Sequence, residues 1–258
     1  MTPATKLQRR TFLSLVAGTP FLQGQTPDLT KPERILPLRA TTAHVQGIDT
    51  DGQRLWVTAV DRPTTKGFLY QFSIKDGSLE QTVEVQNGPR YHPGGLQFHN
   101  NSLWLPVAEY RRTSTAVIQK RNAKTLALEF QFPVDDHIGC VAVTPDTLIG
   151  GNWDSRDFYV WDHQGKLLKK VPNPTGNSFQ DLKFSQGQLV GSGALQGNKP
   201  AIDWLTLPEF KQTRRLTAGN TDTGAPLTRE GMTLHNNEIW FLPEDTTSRL
   251  MIFPLPPR

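Results

Sequence analysis

A short sequence phrase recurs five times after residue 40, and it constrains the fold more than any other feature. Each copy contains a strand with a glycine near its start, a tight turn, and a second strand that opens with an apolar pair such as Leu-Trp. One slot of that second strand is filled, at intervals of about 40–50 residues, by Leu55, Leu103, Leu148, Leu189 and Ile239. Short strands and turns repeated at this period are typical of the blades of a β-propeller.

Each repeat has room for four strands. In the first repeat, the pattern predicts strands over 47–49, 54–60, 68–73 and 79–85. The turn Asp51-Gly52 is a strong hairpin signal, because glycine adopts the positive φ angle that such turns require. The residue directly after the apolar slot is large and apolar in every repeat, and we expect it to pack between neighbouring blades. These residues are Trp56, Trp104, Ile149, Val190 and Trp240.

The fifth repeat ends with a third strand over 249–254 and lacks a fourth. The segment over about 34–39, which precedes the first repeat, is suited to fill that place, because such a closure joins the two ends of the ring. The sequence therefore predicts an all-β fold: a five-bladed β-propeller of four-stranded antiparallel blades, closed by an N-terminal strand. Residues 28–258 are expected to form this single domain.

Residues 1–27 resemble a twin-arginine export signal with a short linker. Arg9-Arg10 is followed by Phe12-Leu13 and by a weakly apolar run that Gly18 and Pro20 interrupt. That run is too short to span a bilayer stably, so no membrane span is expected after cleavage. The resemblance implies a periplasmic or extracellular location. The alternative is an amphipathic N-terminal helix that stays attached.

The charge balance gives no support for nucleic-acid binding. The chain has 28 Lys and Arg against 24 Asp and Glu, and three of the basic residues lie in residues 1–27, which contain no acid. The remainder is close to neutral and has no basic run, so nucleic acid is not an expected partner. A monomer that binds a small polar or anionic ligand is expected instead.

Cys140 is the one cysteine, so neither an internal disulfide nor a thiolate zinc cluster is available to the chain. It stands in the apolar run over 140–143. A small buried residue of the core is therefore favoured over a reactive nucleophile.

Three histidines stand just ahead of the inner strands of consecutive blades. His44 and His92 are each three residues before the glycine of their repeat, and His137 is two before. The matching approaches in blades four and five offer Gln180 and Glu230. A radial fold can bring such residues to one channel mouth.

The predicted metal ligands are His44, His92 and His137. Zinc, manganese and iron are suited to imidazole and carboxylate ligands, whereas calcium is suited to oxygen ligands. The alternative is that these side chains only hydrogen-bond the free backbone groups of the inner strands.

The loops after the second strands carry an acid close to an arginine in three blades, on the same face as these histidines. Arginines there could hold an anionic ligand in bidentate fashion, with aromatic rings as stacking surfaces. The predicted ligand-binding residues are Tyr91, Tyr110, Arg111, Trp153, Asp154, Arg156 and Gln180. Equally consistent with the pattern is a set of salt bridges that joins each loop to its neighbour.

The strings HPGG at 92–95, VAEYR at 107–111, DHIG at 136–139 and PED at 243–245 resemble a bacterial family of uncharacterised exported β-propellers. The resemblance spans about residues 40–255 and implies the fold and an extracytoplasmic setting, but no reaction.

A fold-level similarity to five-bladed glutaminyl cyclases of the plant and bacterial type is carried by Gln46-Gly47-Ile48 and Glu230-Gly231, which are similar to blade-start strings of those enzymes. This second resemblance implies a catalytic role for Glu230.

Three functions remain open from the sequence. The first is an exported protein that binds a small polar or anionic ligand at the channel mouth, with a metal ion and metal-assisted hydrolysis or elimination; Glu230 or Glu109 would be the general base. The second is a non-catalytic scaffold for a protein or glycan partner. The third is a glutaminyl cyclase-like enzyme.

Overall fold

The computed structural model describes Met1, residues 28–245 and residues 248–257, so the export signal predicted over 1–27 lies, apart from Met1, outside the described residues. The described residues form 21 β-strands in five antiparallel sheets. These sheets are the five blades of a β-propeller, as the repeat predicts. No helix within the described parts of the chain is long and apolar enough to cross a membrane.

The strands follow the chain from the axis outwards in each blade. The first strand, which completes the last blade, is β1 (Arg34–Pro37). Blade 1 contains β2 (His44–Thr50), β3 (Arg54–Asp61), β4 (Lys66–Ser73) and β5 (Leu79–Glu84). Blade 2 contains β6 (His92–Pro93), β7 (Gln97–His99), β8 (Ser102–Ala108), β9 (Ala116–Asn122) and β10 (Leu128–Val134). Blade 3 contains β11 (Ile138–Val143), β12 (Leu148–Asn152), β13 (Asp157–Trp161) and β14 (Leu167–Pro172).

Blade 4 contains β15 (Ser178–Ser185), β16 (Gln188–Leu195), β17 (Lys199–Leu205) and β18 (Gln212–Thr217). Blade 5 contains β19 (Glu230–His235), β20 (Glu238–Pro243) and β21 (Arg249–Pro254), and β1 pairs antiparallel with β21 as its fourth strand. The predicted closure is confirmed, but β1 ends at Pro37 and not at 39. The chain leaves the ladder there because the Leu38 and Arg39 amides donate to the carbonyls of Ser248 and Gly77 instead.

The turns between the first two strands of a blade follow from their residues. Gly52 has a φ of 87°, and Asp51 accepts hydrogen bonds from the amides of Gln53 and Arg54. In blade 2 the turn is Asn100-Asn101, with φ values of 48° and 62°. Asparagine tolerates this left-handed conformation better than other non-glycine residues, so both hairpins are locally encoded.

Five hydrophobic clusters form the core, one between each pair of adjacent blades. Each cluster contains the residue that follows the apolar slot on one blade, together with side chains of the next. Trp56, for example, is fully buried and packs against Leu103 and Leu105 of blade 2. The interpretation of these side chains as packing between blades is confirmed.

The inner strands meet at the axis with little room for side chains. A Cβ at Gly95 would lie 2.4 Å from an Asp181 carboxylate oxygen, so only glycine fits there. Gly95 exchanges backbone hydrogen bonds with Gly139 and Val141 of blade 3, which splits the inner strand of blade 2 into β6 and β7. The backbones of neighbouring blades therefore touch directly at the axis.

Four buried polar side chains, Asp49, Gln97, Asp181 and Lys183, fill the axis, and we call them the hub. The Asp181 carboxylate accepts hydrogen bonds from the amides of Ile48 (3.0 Å) and Met232 (3.1 Å) and from Lys183 Nζ. Lys183 Nζ also donates to the carbonyl of Leu96 at 2.8 Å. These contacts tie the inner strands of blades 1, 2, 4 and 5 together.

Candidate functional site

One end of the axis opens into a cavity of about 250 Å³, which we call the cup. All five blades contribute to its wall. The lining residues are His44, Gln46, Arg62, His92, Tyr110, His137, Gly139, Asn152, Trp153, Asp154, Phe179, Gln180, Arg229 and Glu230. The three histidines and the glutamate that the sequence singled out therefore meet in one place, although they are far apart along the chain.

Bulges in the inner strands direct several of these residues into the cup. The pairing of β2 with β3 shifts between Val45 and Gly47, which leaves Gln46 as the extra residue. The same irregularity occurs in β15 between Phe179 and Asp181, at Gln180. A bulge inserts one unpaired residue and changes the direction of its side chain, a device common near functional sites. Because of it, β2 begins at His44, earlier than the alternation predicted.

Glu230 is the first residue of β19, and its side chain is almost completely buried. Its φ of 143° lies in a region that residues other than glycine rarely adopt, a strain of about 1–3 kcal/mol that is typical of functional positions. Burial raises the pKa of Glu230 well above its ordinary value, and the charge of Glu244 raises it further. Both effects favour the protonated carboxyl over the carboxylate.

Gln46 links Glu230 to His92. Its Nε2 atom donates to the Val45 carbonyl at 2.8 Å and lies 3.5 Å from Glu230 Oε2, which leaves its Oε1 atom 2.7 Å from His92 Nε2. Since that oxygen can only accept, His92 carries its proton on Nε2. The other ring nitrogen, Nδ1, is buried with no hydrogen-bond partner among the described residues. Burial lowers the pKa of His92 well below its ordinary value, and His137 and His44 lower it further.

His137 is held in the opposite tautomer. Its Nδ1 atom lies 3.1 Å from the Glu109 carbonyl and 3.2 Å from the Arg111 carbonyl, so Nδ1 is the donor and Nε2 keeps a lone pair. Burial lowers the pKa of His137, against the opposing effect of those two carbonyls. His92 and His137, whose ring centroids are 5.4 Å apart, are therefore two neutral imidazoles on one wall of the cup.

Each of these imidazoles packs against an aromatic ring that an arginine covers. His92 meets Tyr110 edge-on at 4.3 Å, and the Arg62 guanidinium lies 5.4 Å from the Tyr110 ring centre. In blade 3, His137 meets Trp153 edge-on at 4.6 Å. Arg112 covers that tryptophan at 5.7 Å and pairs with Asp154 at 2.5 Å. These contacts fix both imidazole rings.

His44, on blade 1, forms a compact group with two glutamate carboxyl groups of blade 5. One donor atom from each of His44, Glu230 and Glu244 lies within 4.8 Å of the others, a spacing that could hold a metal ion. His44 Nδ1 is 2.8 Å from Glu244 Oε1, but poorly aligned for a linear hydrogen bond. Burial lowers the pKa of His44, while the charge of Glu244 raises it.

This group differs from the three-histidine set expected from the sequence. His92 and His137 each use one ring nitrogen on the protein itself, and their rings stand beside Tyr110 and Trp153. Glu230 is one residue ahead of its blade glycine, where Gln46 stands in blade 1, and this offset brings its carboxyl beside His44. Ligand roles for His92 and His137 stay predictions.

Two arginines at the cup, Arg62 and Arg229, are exposed and form no salt bridge with any of the described carboxylates. Arg62 lies over the ring of Tyr110 and also interacts with its hydroxyl group, and its charge acts on His44 and Glu230. Exposed guanidinium groups without a protein partner are suited to bind an anionic ligand.

Four of the predicted site residues do not line the cup. Glu109 and Arg111 pair with each other at 2.8 Å, and Thr115 also holds the Glu109 carboxylate. That pairing lies within one loop, whereas Arg112 and Asp154 form a salt bridge of the kind that the sequence left open, between neighbouring loops. Tyr91 packs against Tyr110 behind the wall, with ring centres 6.3 Å apart, and Arg156 contacts only the Trp153 carbonyl. The catalytic role predicted for Glu109 has no support from this position.

The sequence did not single out Gln46, Arg62, Arg229 or Glu244 as site residues. A signal existed for Arg62 and Glu244, because each belongs to a charged loop on the face where the histidines converge. Gln46 appears in the blade-start string Gln46-Gly47-Ile48, but that string gives no sign that its side chain enters the site, because its direction depends on a bulge. Cys140 is buried, and burial raises its pKa to about 12, as suits a core residue. His99 and His163 line a separate cavity, with no residue shared with the cup.

Comparison with solved structures shows the fold. The chain is similar to the glutaminyl cyclase of Myxococcus xanthus, with a TM-score of 0.65 and 13% sequence identity, over 87% of this chain and 96% of that one. A weaker likeness, with a TM-score of 0.46 and 13% identity over 82% of this chain and 66% of that one, is to the WD40 domain of Neurospora crassa Pan2. No curated protein matches the sequence. Residues 64–186 match the model of a family of unknown function (DUF6454), which confirms the predicted resemblance to an uncharacterised family.

Proposed function

We propose that the cup binds a small polar ligand with an anionic group, together with a divalent cation held by His44, Glu230 and Glu244. The observation that carries the proposal is the spacing of these three side chains, whose donor atoms lie within 4.8 Å of one another at the cup. Arg62 and Arg229, which form no salt bridge with a carboxylate in the described parts of the chain, supply the anion-binding part.

The donor set indicates which cation fits. One imidazole nitrogen and two carboxylate oxygens match the three protein ligands of catalytic zinc sites, and they also suit manganese or ferrous iron. Calcium prefers oxygen ligands alone and in greater number, so it fits less well. Glu230 would lose its proton on binding the cation, since only the carboxylate is a ligand.

A cation at this position would supply Lewis-acid chemistry to a bound carbonyl or water, the basis of metal-assisted hydrolysis or elimination. The protein's own groups fit that use. His137 presents an acceptor nitrogen towards the cup, since its Nδ1 proton is held by carbonyls. Arg62 and Arg229 would orient the anionic part of the ligand.

Calorimetric titration of chelator-treated protein with Zn²⁺ and Mn²⁺ tests the cation site. We expect one equivalent to bind and, at about 100 times Kd, to stabilise the fold by roughly 2.7 kcal/mol. For a chain of this size that corresponds to a rise in Tm of about 5–10 °C. His44→Ala and Glu244→Gln should each weaken binding by at least about tenfold.

Two matched controls come from other parts of the molecule. His99→Ala changes a histidine of the opposite face, and Glu129→Gln changes an exposed glutamate that pairs with Lys120. Both should bind the cation as the unaltered protein does. Equal affinity in His44→Ala and the unaltered protein would rule out the proposed ligand set.

A second candidate is metal-free acid–base catalysis of the glutaminyl cyclase type. It is favoured by the buried Glu230, whose raised pKa suits a group that gives a proton to a leaving amine, in a fold similar to that cyclase. Incubation with a glutamine-led peptide, followed by mass spectrometry for the loss of ammonia, tests it. Turnover that persists in chelator and disappears in Glu230→Gln would establish this reaction in place of the metal-assisted one.

We also propose export through the twin-arginine pathway, on the strength of Arg9-Arg10 and the residues after it. Fractionation of the native host should find a shortened protein outside the cytoplasm. Replacement of both arginines by lysine should leave the full-length protein inside the cell; unchanged export would exclude this route.

A further inference from the structure

A second cavity of about 520 Å³ continues from the cup towards the rim of the propeller, and we call it the groove. The two cavities share three lining residues, Asp154, Gln180 and Arg229. Because these side chains border both spaces, the cup and the groove adjoin each other, and one ligand could reach from the first into the second. The cup alone, at about 250 Å³, is smaller than ordinary small-molecule sites.

The groove is polar and contains no aromatic ring. Its other lining residues are Gly176, Ser178, Ala194, Leu195, Gln196, Gly197, Asn198, Pro226 and Thr228. The side chains of Ser178, Gln180, Gln196 and Asn198 make no hydrogen bond within the described structure, so their donors and acceptors are available to a ligand. Such groups match the alternating N–H and C=O groups of an extended peptide.

The charges at the cup decide which end of a chain would enter. Arg62 lines the cup but not the groove, and it forms no salt bridge with any carboxylate that the structure describes. Arg229 stands at the junction, also without a carboxylate partner, whereas Asp154 is already paired with Arg112. An anionic chain end is therefore favoured in the cup over a cationic one.

We propose that the natural ligand is a peptide whose C-terminal carboxylate lies in the cup against Arg62, and whose preceding residues lie in the groove. The assignment rests on the proposed function, since it names the ligand class of the same site. An oligosaccharide fits less well because the groove has no ring on which a sugar could stack. A peptide N-terminus would place an ammonium beside two unpaired guanidinium groups.

Four probes test the assignment in the Mn²⁺-loaded protein: N-acetylated Ala-Ala-Ser-Ala as free acid, the same peptide as C-terminal amide, N-acetylalanine, and chitotetraose. We expect the free acid to bind at least about tenfold more tightly than the amide, because only the carboxylate can pair with a guanidinium. It should also bind more tightly than N-acetylalanine, which cannot reach the groove. Equal binding of acid and amide, or a preference for chitotetraose, overturns the assignment.

Two variants locate the probe. Arg62→Gln should remove the preference for the acid, and Gln196→Trp should fill the groove and weaken the tetrapeptide without affecting N-acetylalanine. Gln164→Trp, at an exposed turn of the opposite face, is the matched control. Retention of full tetrapeptide affinity in Gln196→Trp overturns the groove assignment.

Cation titration, repeated on the same variants, separates the two proposals. Gln196→Trp should bind Mn²⁺ normally, so loss of peptide binding there is a failure of the groove and not of the metal site.

Discussion

The hub and the cup lie next to each other on the propeller axis, and both bury ionisable groups. They differ in how many hydrogen bonds those groups receive. In the hub, Asp181 accepts three backbone hydrogen bonds and one from Lys183. In the cup, the Glu230 carboxyl has one contact to Gln46 at 3.5 Å, and His92 Nδ1 has no partner. Satisfied buried charges hold a structure together, whereas unsatisfied ones are retained where a ligand completes them.

The partners explain the contrast. Asp181, on blade 4, is bound by amides of Ile48 and Met232, on the inner strands of blades 1 and 5, so one side chain joins the inner strands of three blades. Glu230 joins nothing in this way and carries a strained backbone, with a φ of 143°. The contacts of the hub therefore favour the stability of the ring, whereas the strained backbone and buried carboxyl of Glu230 oppose it.

The largest expected effect is the loss of a hub charge. Lys183→Met leaves the buried Asp181 carboxylate without its counter-charge, which should destabilise the fold by about 3–5 kcal/mol. Thermal unfolding followed by circular dichroism should show a Tm lower by roughly 6–20 °C.

The double variant Lys183→Met with Asp181→Asn provides the control, because it removes both charges and keeps an acceptor for the backbone amides. It should recover part of the loss. If the single variant is as stable as the unaltered protein, the hub is not a stabilising element and the contrast with the cup fails.

Glu230→Gln should have a smaller effect of the opposite sign. Because the folded-state pKa of Glu230 is raised, the folded chain holds a proton that the unfolded chain releases, and stability falls as pH rises from the ordinary value of about 4.3 towards the folded-state pKa. Glutamine has no such penalty. We expect the variant, in chelator, to be more stable at pH 7, with a gain that grows by up to about 1.4 kcal/mol for each pH unit above about 4.3 until the folded-state pKa is reached.

Urea unfolding at several pH values measures this difference. The gain should disappear below about pH 4, where both states of the unaltered chain are protonated. A variant that is less stable at pH 7 would mean that the Glu230 carboxyl makes favourable contacts in the cup, contrary to the comparison.

The sequence predicted the fold well because its signals are local and repeated. Turns such as Asp51-Gly52 and the position of Trp56 recur in every blade in some form, so the strand prediction for one blade supports the prediction for the next. The hub could not be predicted in the same way. In β15, Asp181 and Lys183 are two polar residues that alternate with Leu182 and Phe184, a pattern that equally describes a strand with one face in water.

The site was predictable in position but not in detail. The places of His44, His92 and His137 before the inner strands sufficed to bring them to one mouth. The contribution of Gln46 depends on a bulge, and that of Glu230 on a backbone conformation rare for glutamate, and neither has a signature in residue type. Glu109 and Arg111 were predicted to act on or bind a ligand because of their charges, but they form a salt bridge with each other instead.

His92 provides a test of the cup in acid. Burial lowers its pKa, so the folded state keeps the imidazole neutral, and stability is lost as pH falls from about 6.5 towards the folded-state pKa. His92→Gln should be less stable at pH 7.5, because the bond to Gln46 is disturbed, but should lose less stability between pH 7 and 5. Parallel losses in both proteins would show that another group titrates there.

The smallest effect is expected at the rim, where Arg112 pairs with Asp154 and covers Trp153. Both partners of this ion pair are about half exposed, so water screens their attraction. Arg112→Ala should lower the free energy of unfolding by less than about 1 kcal/mol, with a further decrease of the effect in 1 M salt. A loss as large as that of Lys183→Met would show that partner geometry, and not burial, separates the stabilising charges of this propeller from the dispensable ones.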